Sequence, residues 1–157
     1  MKKVDQKDQK AKTSEAVRPK YFEAEAVKEI AGPLIAEHHA HLKDKPIFYL
    51  FNDGKMKDWA TMSRRNEKEQ FISAWMFVME VNYKQWVVMT EKERIALVDH
   101  ELCHAGIDPE MGEPFIIDHE VEEFSAIVRR HGFWRESVRV FGYSCVDQMS
   151  LPLGKTG

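Results

Sequence analysis

Residues 90–105 read TEKERIALVDHELCHA, and this stretch determines most of what the sequence predicts about the fold. Thr90 is followed three residues later by Glu93, a capping-box pattern in which the hydroxyl and the carboxylate each bond a free backbone N–H. Apolar residues then recur on one helical face, at Ile95, Val98 and Leu102. Gly106 suits the residue that follows a helix C-terminus. The sequence therefore predicts a well-capped helix over residues 90–105.

The five residues 100–104, His-Glu-Leu-Cys-His, place a metal-binding pattern inside this helix. Positions four apart share a helical face, so the imidazoles of His100 and His104 can reach one ion. Glu101 follows the first histidine and can point at a water molecule held by that ion. Zinc is the natural metal for histidine ligands in a site that keeps one coordination position open. We therefore expect a zinc site that uses His100 and His104.

A catalytic zinc site needs a third protein ligand, which is expected downstream of this helix. The metzincin pattern is excluded, because positions 107 and 110 hold Ile107 and Glu110 rather than glycine and histidine. We favour His119, at the start of a helix predicted from Asp118, before the apolar stripe of that helix begins. Acidic candidates in the same stretch stay open as alternatives, namely Glu122 and Glu123, whereas Asp108 is more typical of a turn. If His119 is the ligand, one of the two glutamates is expected to accept a hydrogen bond from its ring and set its tautomer.

Outside this region the patterns predict a small α+β domain. A helical period over residues 21–42 is expected to break at Gly32-Pro33. Short apolar runs predict four strands, at 47–51, 59–62, 74–81 and 85–89. A second helix is predicted over 118–132, and a last amphipathic piece from 133 onward. We expect a small mixed or antiparallel sheet packed against the helix at 90–105 and its flanking helices.

Length and composition indicate one globular domain: 157 residues, of which 43% are hydrophobic and 31% are charged. The net charge of -3 argues against a nucleic-acid-binding surface over the whole domain, although residues 1–20 hold seven Lys/Arg and three Asp/Glu. We expect a flexible basic tail at 1–19, a single domain at 20–150 and a loose C-terminus at 151–157. With no apolar run of membrane-spanning length, no secretory signal and two cysteines, the predicted location is the cytoplasm.

Residues 96–105, ALVDHELCHA, together with Asp118-His119 and Glu123-Phe124, resemble the SprT-like (Spartan-type) zinc peptidases. They are especially similar to the small metallopeptidases found in bacteriophage genomes, and the resemblance covers about residues 21–135. Many larger relatives carry a C-terminal zinc ribbon whose cysteines this chain lacks, which argues against their DNA-linked substrate recognition. The resemblance implies a zincin-like fold and a Zn²⁺ site with assigned roles: His100, His104 and His119 as ligands, and Glu101 as the catalytic carboxylate.

The implied activity is hydrolysis of peptide bonds in a protein or peptide substrate, in the host cytoplasm if a phage encodes the chain. Glu101 is then expected to take a proton from a zinc-activated water and deliver it to the leaving amine. An extended substrate is expected to pair with an edge strand, for which residues 74–81 are the candidate. Three side chains are candidates to stabilise the oxyanion: His131, Arg130 and Tyr143. The alternative is a non-catalytic, metal-braced module, a phage factor that binds a host protein or nucleic acid.

A second dense group of histidines lies at His38, His39 and His41. We expect these to be partly exposed side chains near a helix C-terminus, where the helix dipole favours their charged form, rather than a second metal site. Cys103 points away from both histidines of its motif on a helix, so it is expected to be a small packing residue.

Overall fold

The computed structural model describes residues 19–119 and 123–149, with side chains up to residue 144. Its centre is a four-stranded sheet in the order β1-β2-β4-β3. The strands are β1 (Tyr21–Glu23), β2 (Ile47–Asn52), β3 (Ala60–Arg64) and β4 (Phe77–Asn82). Strands β2 and β4 run parallel, whereas β1 on β2 and β3 on β4 are antiparallel, so β1 and β3 are the edges.

Helices surround this sheet in chain order. They are α1 (Glu25–His38), α2 (Glu67–Ser73), α3 (Tyr83–Trp86), α4 (Glu91–Cys103), α5 (Ser125–His131) and α6 (Glu136–Met149), with a short 3-10 turn at Ala40–Leu42. A two-stranded hairpin follows α4 and consists of β5 (Ala105–Ile107) and β6 (Pro114–Ile116). No helix in the described part of the chain is long and apolar enough to cross a membrane. The predicted α+β fold, with a small mixed sheet packed against the HExxH helix, is confirmed.

The hydrophobic core lies between one face of the sheet and helices α1 and α4. Alternate residues of the strands enter it, including Tyr49, Phe51, Met62, Phe77, Met79 and Val81. The two helices contribute Val27, Ala31, Leu34, Val98 and Leu102. Burying a large apolar side chain stabilises the fold by about 1.5–3 kcal/mol, so this interface fixes how α4 lies over the sheet.

Helix α4 begins as predicted. The Thr90 hydroxyl accepts from the Glu93 N–H at 3.3 Å, and the Glu93 carboxylate accepts from the Thr90 N–H at 2.8 Å. The helix ends at Cys103, two residues earlier than predicted, and Gly106 belongs to β5 instead of the helix end. A Cβ at Gly106 would lie 2.5 Å from the Phe115 ring, so packing inside the hairpin is what requires glycine there.

Three predictions around the sheet are wrong. Residues 21–23 pair with β2 as a strand and do not start a helix. Helix α1 continues through Gly32-Pro33, because Ala31 and Leu34 beside them are buried in the core. Residues 85–89 do not form a strand, because the Asn82 side-chain oxygen accepts from two following N–H groups and starts α3.

The strand predicted at 74–81 also has a different place in the sheet. It begins at Phe77 as β4 and lies between β2 and β3, so it is a central strand and its prediction as the substrate-binding edge is wrong. Strand β3, predicted at 59–62, is the edge next to α4. Helix α2 has no predicted counterpart, although Asn66 and Glu69 form the same kind of capping box as α4.

The helix predicted from Asp118 begins at Ser125 instead, and Asp118 does not cap it. Asp118 and His119 lie in an irregular segment after β6. Helix α6 matches the amphipathic piece predicted from residue 133. The predicted tail, the predicted loose C-terminus, and residues 120–122, which include Glu122, lie outside the described residues apart from residue 19.

Candidate metal centre

Helix α4 carries two histidines to one side of the molecule. His100 lies in its last turn, and His104 is its C-cap residue, still in helical backbone conformation. His119 approaches from the segment after the hairpin, and its Nε2 lies 2.9 Å from the Nε2 of His100. One nitrogen from each of the three imidazoles lies within 4.8 Å of the other two. The structure thus brings together the three histidines that the sequence singles out.

The hydrogen bonds of two of these rings determine which nitrogen faces the common point. The Nδ1–H of His100 donates to the Glu123 carboxylate, and the Nδ1–H of His104 donates to the Ile117 carbonyl at 2.6 Å. Each ring therefore keeps its Nε2 lone pair free of a proton. Burial is the main cause that lowers the pKa of His104 and of His119, which also favours neutral imidazoles.

This set of donors fits a divalent metal ion. Histidine binds a metal ion through the unprotonated nitrogen of a neutral imidazole. Three such nitrogens that face one point leave the fourth coordination position of a tetrahedral ion open. The carboxylate behind His100 supplies the outer hydrogen bond that usually orients a metal-binding histidine. The arrangement suits zinc, and it would also accept other ions that prefer imidazole.

Glu123 holds His100 and is itself held on both oxygens. Besides the His100 ring, its carboxylate accepts from the Phe124 N–H at 2.9 Å and from the Trp134 indole N–H at 3.1 Å. Burial acts to raise the pKa of Glu123, but the hydrogen bonds from His100, Phe124 and Trp134 hold it below its usual value. The glutamate predicted to orient His119 thus orients His100, and its oxygens are committed to these donors rather than to a metal.

Glu101 lies beside the histidines with only 4% of its surface exposed. Burial, reinforced by the nearby Glu123 carboxylate, raises the pKa of Glu101 to about 8, while Arg135 and the Met62 N–H act in the opposite direction. The Met62 hydrogen bond ties the carboxylate to strand β3. Glu101 is therefore a fixed group that a proton can join or leave near neutral pH.

A cleft of about 390 Å³ opens over the histidines and Glu101. One wall is the outer edge of β3, from Trp59 to Met62, and the opposite wall includes Ile116 of the hairpin and Arg135. Trp59 and Arg65, which flank β3, bond to Asn82 and Met76 at the two ends of β4. Since backbone direction alternates along an antiparallel strand, the backbone groups of Ala60 and Met62 point away from β4, on the side of the cleft. The wall of the cleft thus contains backbone groups of β3 that do not pair with β4.

The remaining predicted site residues have other roles. Asp108 is a turn residue, since its Oδ1 accepts from the N–H groups of Glu110 and Met111 at 2.9 and 2.7 Å. None of the three predicted oxyanion donors lines the cleft. Tyr143 is largely exposed on α6. Arg130 and His131 are both bound to Asp99.

Asp99, the residue before His100, is the centre of a second polar cluster that sequence reasoning missed. Its fully buried carboxylate accepts from Arg130 Nε and Nη2 at 2.7 and 2.8 Å, and from His131 at 2.6 Å. His39 of the predicted histidine group also donates to it, at 2.6 Å. Although burial acts to raise it, these hydrogen bonds hold the pKa of Asp99 well below its usual range.

Of the three histidines predicted to be partly exposed, His38 and His41 are exposed, whereas the prediction is wrong for His39. His39 is only 4% exposed because it bonds to Asp99. His41 donates to the Ala105 carbonyl at 2.8 Å, directly after the HExxH motif. The segment after α1 therefore holds α4 on both sides of its two metal-site histidines. No local signal marks these contacts, because the partners lie 60 and 64 residues apart in the chain.

The fold and site together define an α+β protein with an HExxH helix and a three-histidine metal centre. The family model described as "Putative phage metallopeptidase" matches residues 19–142, and the chain belongs to this family. No curated protein and no solved structure matches the chain.

Proposed function

We propose that the chain is a zinc-dependent peptidase in which His100, His104 and His119 hold the metal and Glu101 is the general base. The observation that carries the proposal is the position of Glu101 between three convergent imidazoles and the free edge of β3, inside one cleft. The helical HELCH motif and the third histidine support the finer resemblance to SprT-like peptidases. We place the activity in a single domain over residues 20–150 and in the host cytoplasm.

A bound zinc ion would supply an activated water, with its pKa lowered to about 7, and polarise the scissile carbonyl. Glu101 accepts the proton as the water oxygen bonds to the carbonyl carbon and the π electron pair moves onto the carbonyl oxygen. When the C–N bond breaks, its electron pair stays on nitrogen and Glu101 returns the proton to it. The oxygen electron pair re-forms the C=O bond as the C–N bond breaks, which gives a carboxylic acid and an amine. The proton of the acid then passes to the amine, so the final products are a carboxylate and an ammonium group.

The free edge of β3 provides the substrate-binding surface of this proposal. The backbone groups of Ala60 and the carbonyl of Met62 face the cleft and can pair with an extended peptide, whereas the Met62 N–H is bonded to Glu101. Recognition through the main chain favours unfolded or flexible protein segments over particular side chains. This edge replaces residues 74–81, which are enclosed in the sheet.

The decisive experiment compares wild-type protein with Glu101→Gln in two measurements, the metal content of the purified chain and the hydrolysis of fluorescently quenched casein. We expect one zinc per chain in both proteins and a loss of hydrolysis of about 10²–10⁴-fold in the variant, the usual contribution of a general base. Glu91→Gln makes the same chemical change at an exposed position of α4 and is expected to keep full activity.

Full hydrolysis by Glu101→Gln would refute the catalytic role of this carboxylate. Wild-type protein that binds zinc but cleaves nothing would leave the non-catalytic, metal-braced module as the function. In that module the metal only stabilises the fold, so His104→Ala would lower the free energy of unfolding while Glu101→Gln would leave any binding activity intact.

A further inference from the structure

Arg135 is a cation at the candidate metal cleft that makes no side-chain hydrogen bond or ion pair to any described residue. It lines the cleft together with Glu101 and His119 and is only partly exposed. Its buried Nε has no hydrogen-bond partner within the described residues, and none of its other nitrogens forms a hydrogen bond or ion pair there. A partly desolvated guanidinium with unused donors is a binding group for an anion.

The surrounding residues fix where this guanidinium lies. Its Cζ is 5.2 Å from the centre of the Trp134 ring, a cation–π contact. The Trp134 indole is in turn tied to Glu123, the residue that orients His100. The Arg135 carbonyl accepts from the Arg139 N–H at 3.1 Å, which fixes its backbone at the start of α6. Arg135 is therefore held in relation to the metal-site histidines before any substrate binds.

The charge of Arg135 acts at the reaction centre rather than at the rim. Arg135 lines the same cleft as Glu101 and His119, and its charge partly offsets the burial that raises the pKa of Glu101. A peptide carbonyl bound in this cleft has Glu101, the histidines and Arg135 in its walls. Of the other candidate donors, Arg130 and His131 are bound to Asp99, and Lys57, which also lines the cleft, is exposed.

We infer that Arg135 is the catalytic residue that donates hydrogen bonds to the carbonyl oxygen of the substrate as it gains negative charge; this inference rests on the proposed peptidase function. The π electron pair that leaves the carbon–oxygen double bond is stabilised on that oxygen by a fixed cation. It returns to the carbonyl when the C–N bond breaks, so Arg135 neither gains nor loses a proton. Preorganised donors of this kind are usually a large part of enzymatic rate enhancement.

The test uses the zinc-loaded full chain with Arg135→Met, Arg135→Lys and the control Arg139→Met, which removes an equal charge one helical turn further along α6. The first measurement is calorimetric titration with inorganic phosphate, a tetrahedral oxyanion, and it needs no turnover. We expect Arg135→Met to bind phosphate about ten- to a hundredfold more weakly, because it loses charge-assisted hydrogen bonds. Arg139→Met is expected to match wild type within about twofold.

The second measurement separates kcat from KM on quenched casein. We expect kcat to fall about a hundredfold in Arg135→Met with KM little changed, as for loss of one oxyanion donor. Arg135→Lys is expected to lose at least about tenfold in kcat, since an ammonium lacks the guanidinium fork. If Arg135→Met does not fold, the Lys variant carries both measurements.

Phosphate binding by Arg135→Met within about twofold of wild type would overturn the inference. A higher KM with an unchanged kcat would also overturn it, and would make Arg135 a receptor for a substrate carboxylate. Wild-type protein that hydrolyses nothing refutes the proposed peptidase function separately. In that case the phosphate titration alone decides whether Arg135 donates hydrogen bonds to an anion bound in the cleft.

Discussion

Two histidine clusters lie on helix α4 at consecutive residues, and they have opposite chemistry. Around His100, three imidazole nitrogens converge with their lone pairs toward one point. Around Asp99, two imidazoles and the Arg130 guanidinium converge with their protons on a carboxylate. Both clusters bring possible metal ligands within 4.8 Å of one another, since His39, Asp99 and Cys103 also meet that criterion.

The two clusters show that proximity of ligand atoms is not enough to define a metal site. In the Asp99 cluster the position that a cation would take is filled by Arg130, which binds the carboxylate through two nitrogens. In the His100 cluster the carboxylate stands behind the ring, on Nδ1, and leaves Nε2 available. The first arrangement connects α1, α4 and α5, and the second presents ligands to a cleft. We therefore expect mutations to separate stability from metal binding.

The largest effect is expected from Asp99→Asn. The variant leaves Arg130 and two histidines around a neutral amide, and breaking a buried ion pair typically costs about 3–5 kcal/mol. The free energy of unfolding from urea titration, monitored by circular dichroism, measures this loss. At temperatures where the variant is folded, we expect it still to bind one metal ion.

The control for this prediction is Glu136→Gln, which breaks the exposed ion pair with Arg139. Exposed pairs contribute about 0–1 kcal/mol, so the control is expected to change stability little. If Asp99→Asn costs no more than Glu136→Gln, the Asp99 cluster does not hold the helices together.

A smaller effect, on the other cluster, is expected from Glu123→Gln. Removing the charge behind His100 weakens the orientation and basicity of that ring, which typically lowers metal affinity by about 10–100-fold. Competition with a chelator of known zinc affinity measures the change. Glu110→Gln, at an exposed loop position of the hairpin, is the matched control. Equal zinc affinity in the two variants would contradict the role given to Glu123.

The smallest expected effect is a decrease in the free energy of unfolding at acid pH, caused by protonation of Asp99. The folded pKa of Asp99 is depressed, so as the pH falls below about 4 the unfolded chain takes up a proton before the folded chain does. Stability contributed by Asp99 is thus present above that pH and is lost below it, with a slope of at most about 1.4 kcal/mol per pH unit. Urea titrations at pH 5, 4 and 3 measure it. Asp99→Asn should lack this component, and an identical slope in the variant would contradict the assignment.

Sequence reasoning succeeds in this chain where the signal is local. The Thr90–Glu93 capping box is confirmed as the start of α4, and the spacing of His100 and His104 brings their ring nitrogens close together at the end of the same helix. The sequence singles out His119 by its residue type, whereas the helix expected to carry it begins at Ser125, with Phe124 rather than Asp118 as its N-cap residue.

The missed features depend on distant partners. In the sequence Asp99 is one more polar residue of a helix. Its role follows only from the fold, in which His39 at the end of α1 and Arg130 of α5 bond to it. Arg135 lies in no motif, and its place in the cleft follows from the packing of Trp134 on Trp59. The central position of β4 likewise depends on strand order, which local patterns do not specify.

The chain order of the two clusters has a consequence for protein synthesis. The HExxH residues are made before position 119, and Arg130 follows later still. A ribosome-bound intermediate that ends before these positions has neither the third imidazole nor the arginine clamp on α4. Assembly of the three-histidine centre therefore waits until residue 119 has been made, and the Arg130 contact with Asp99 forms later still.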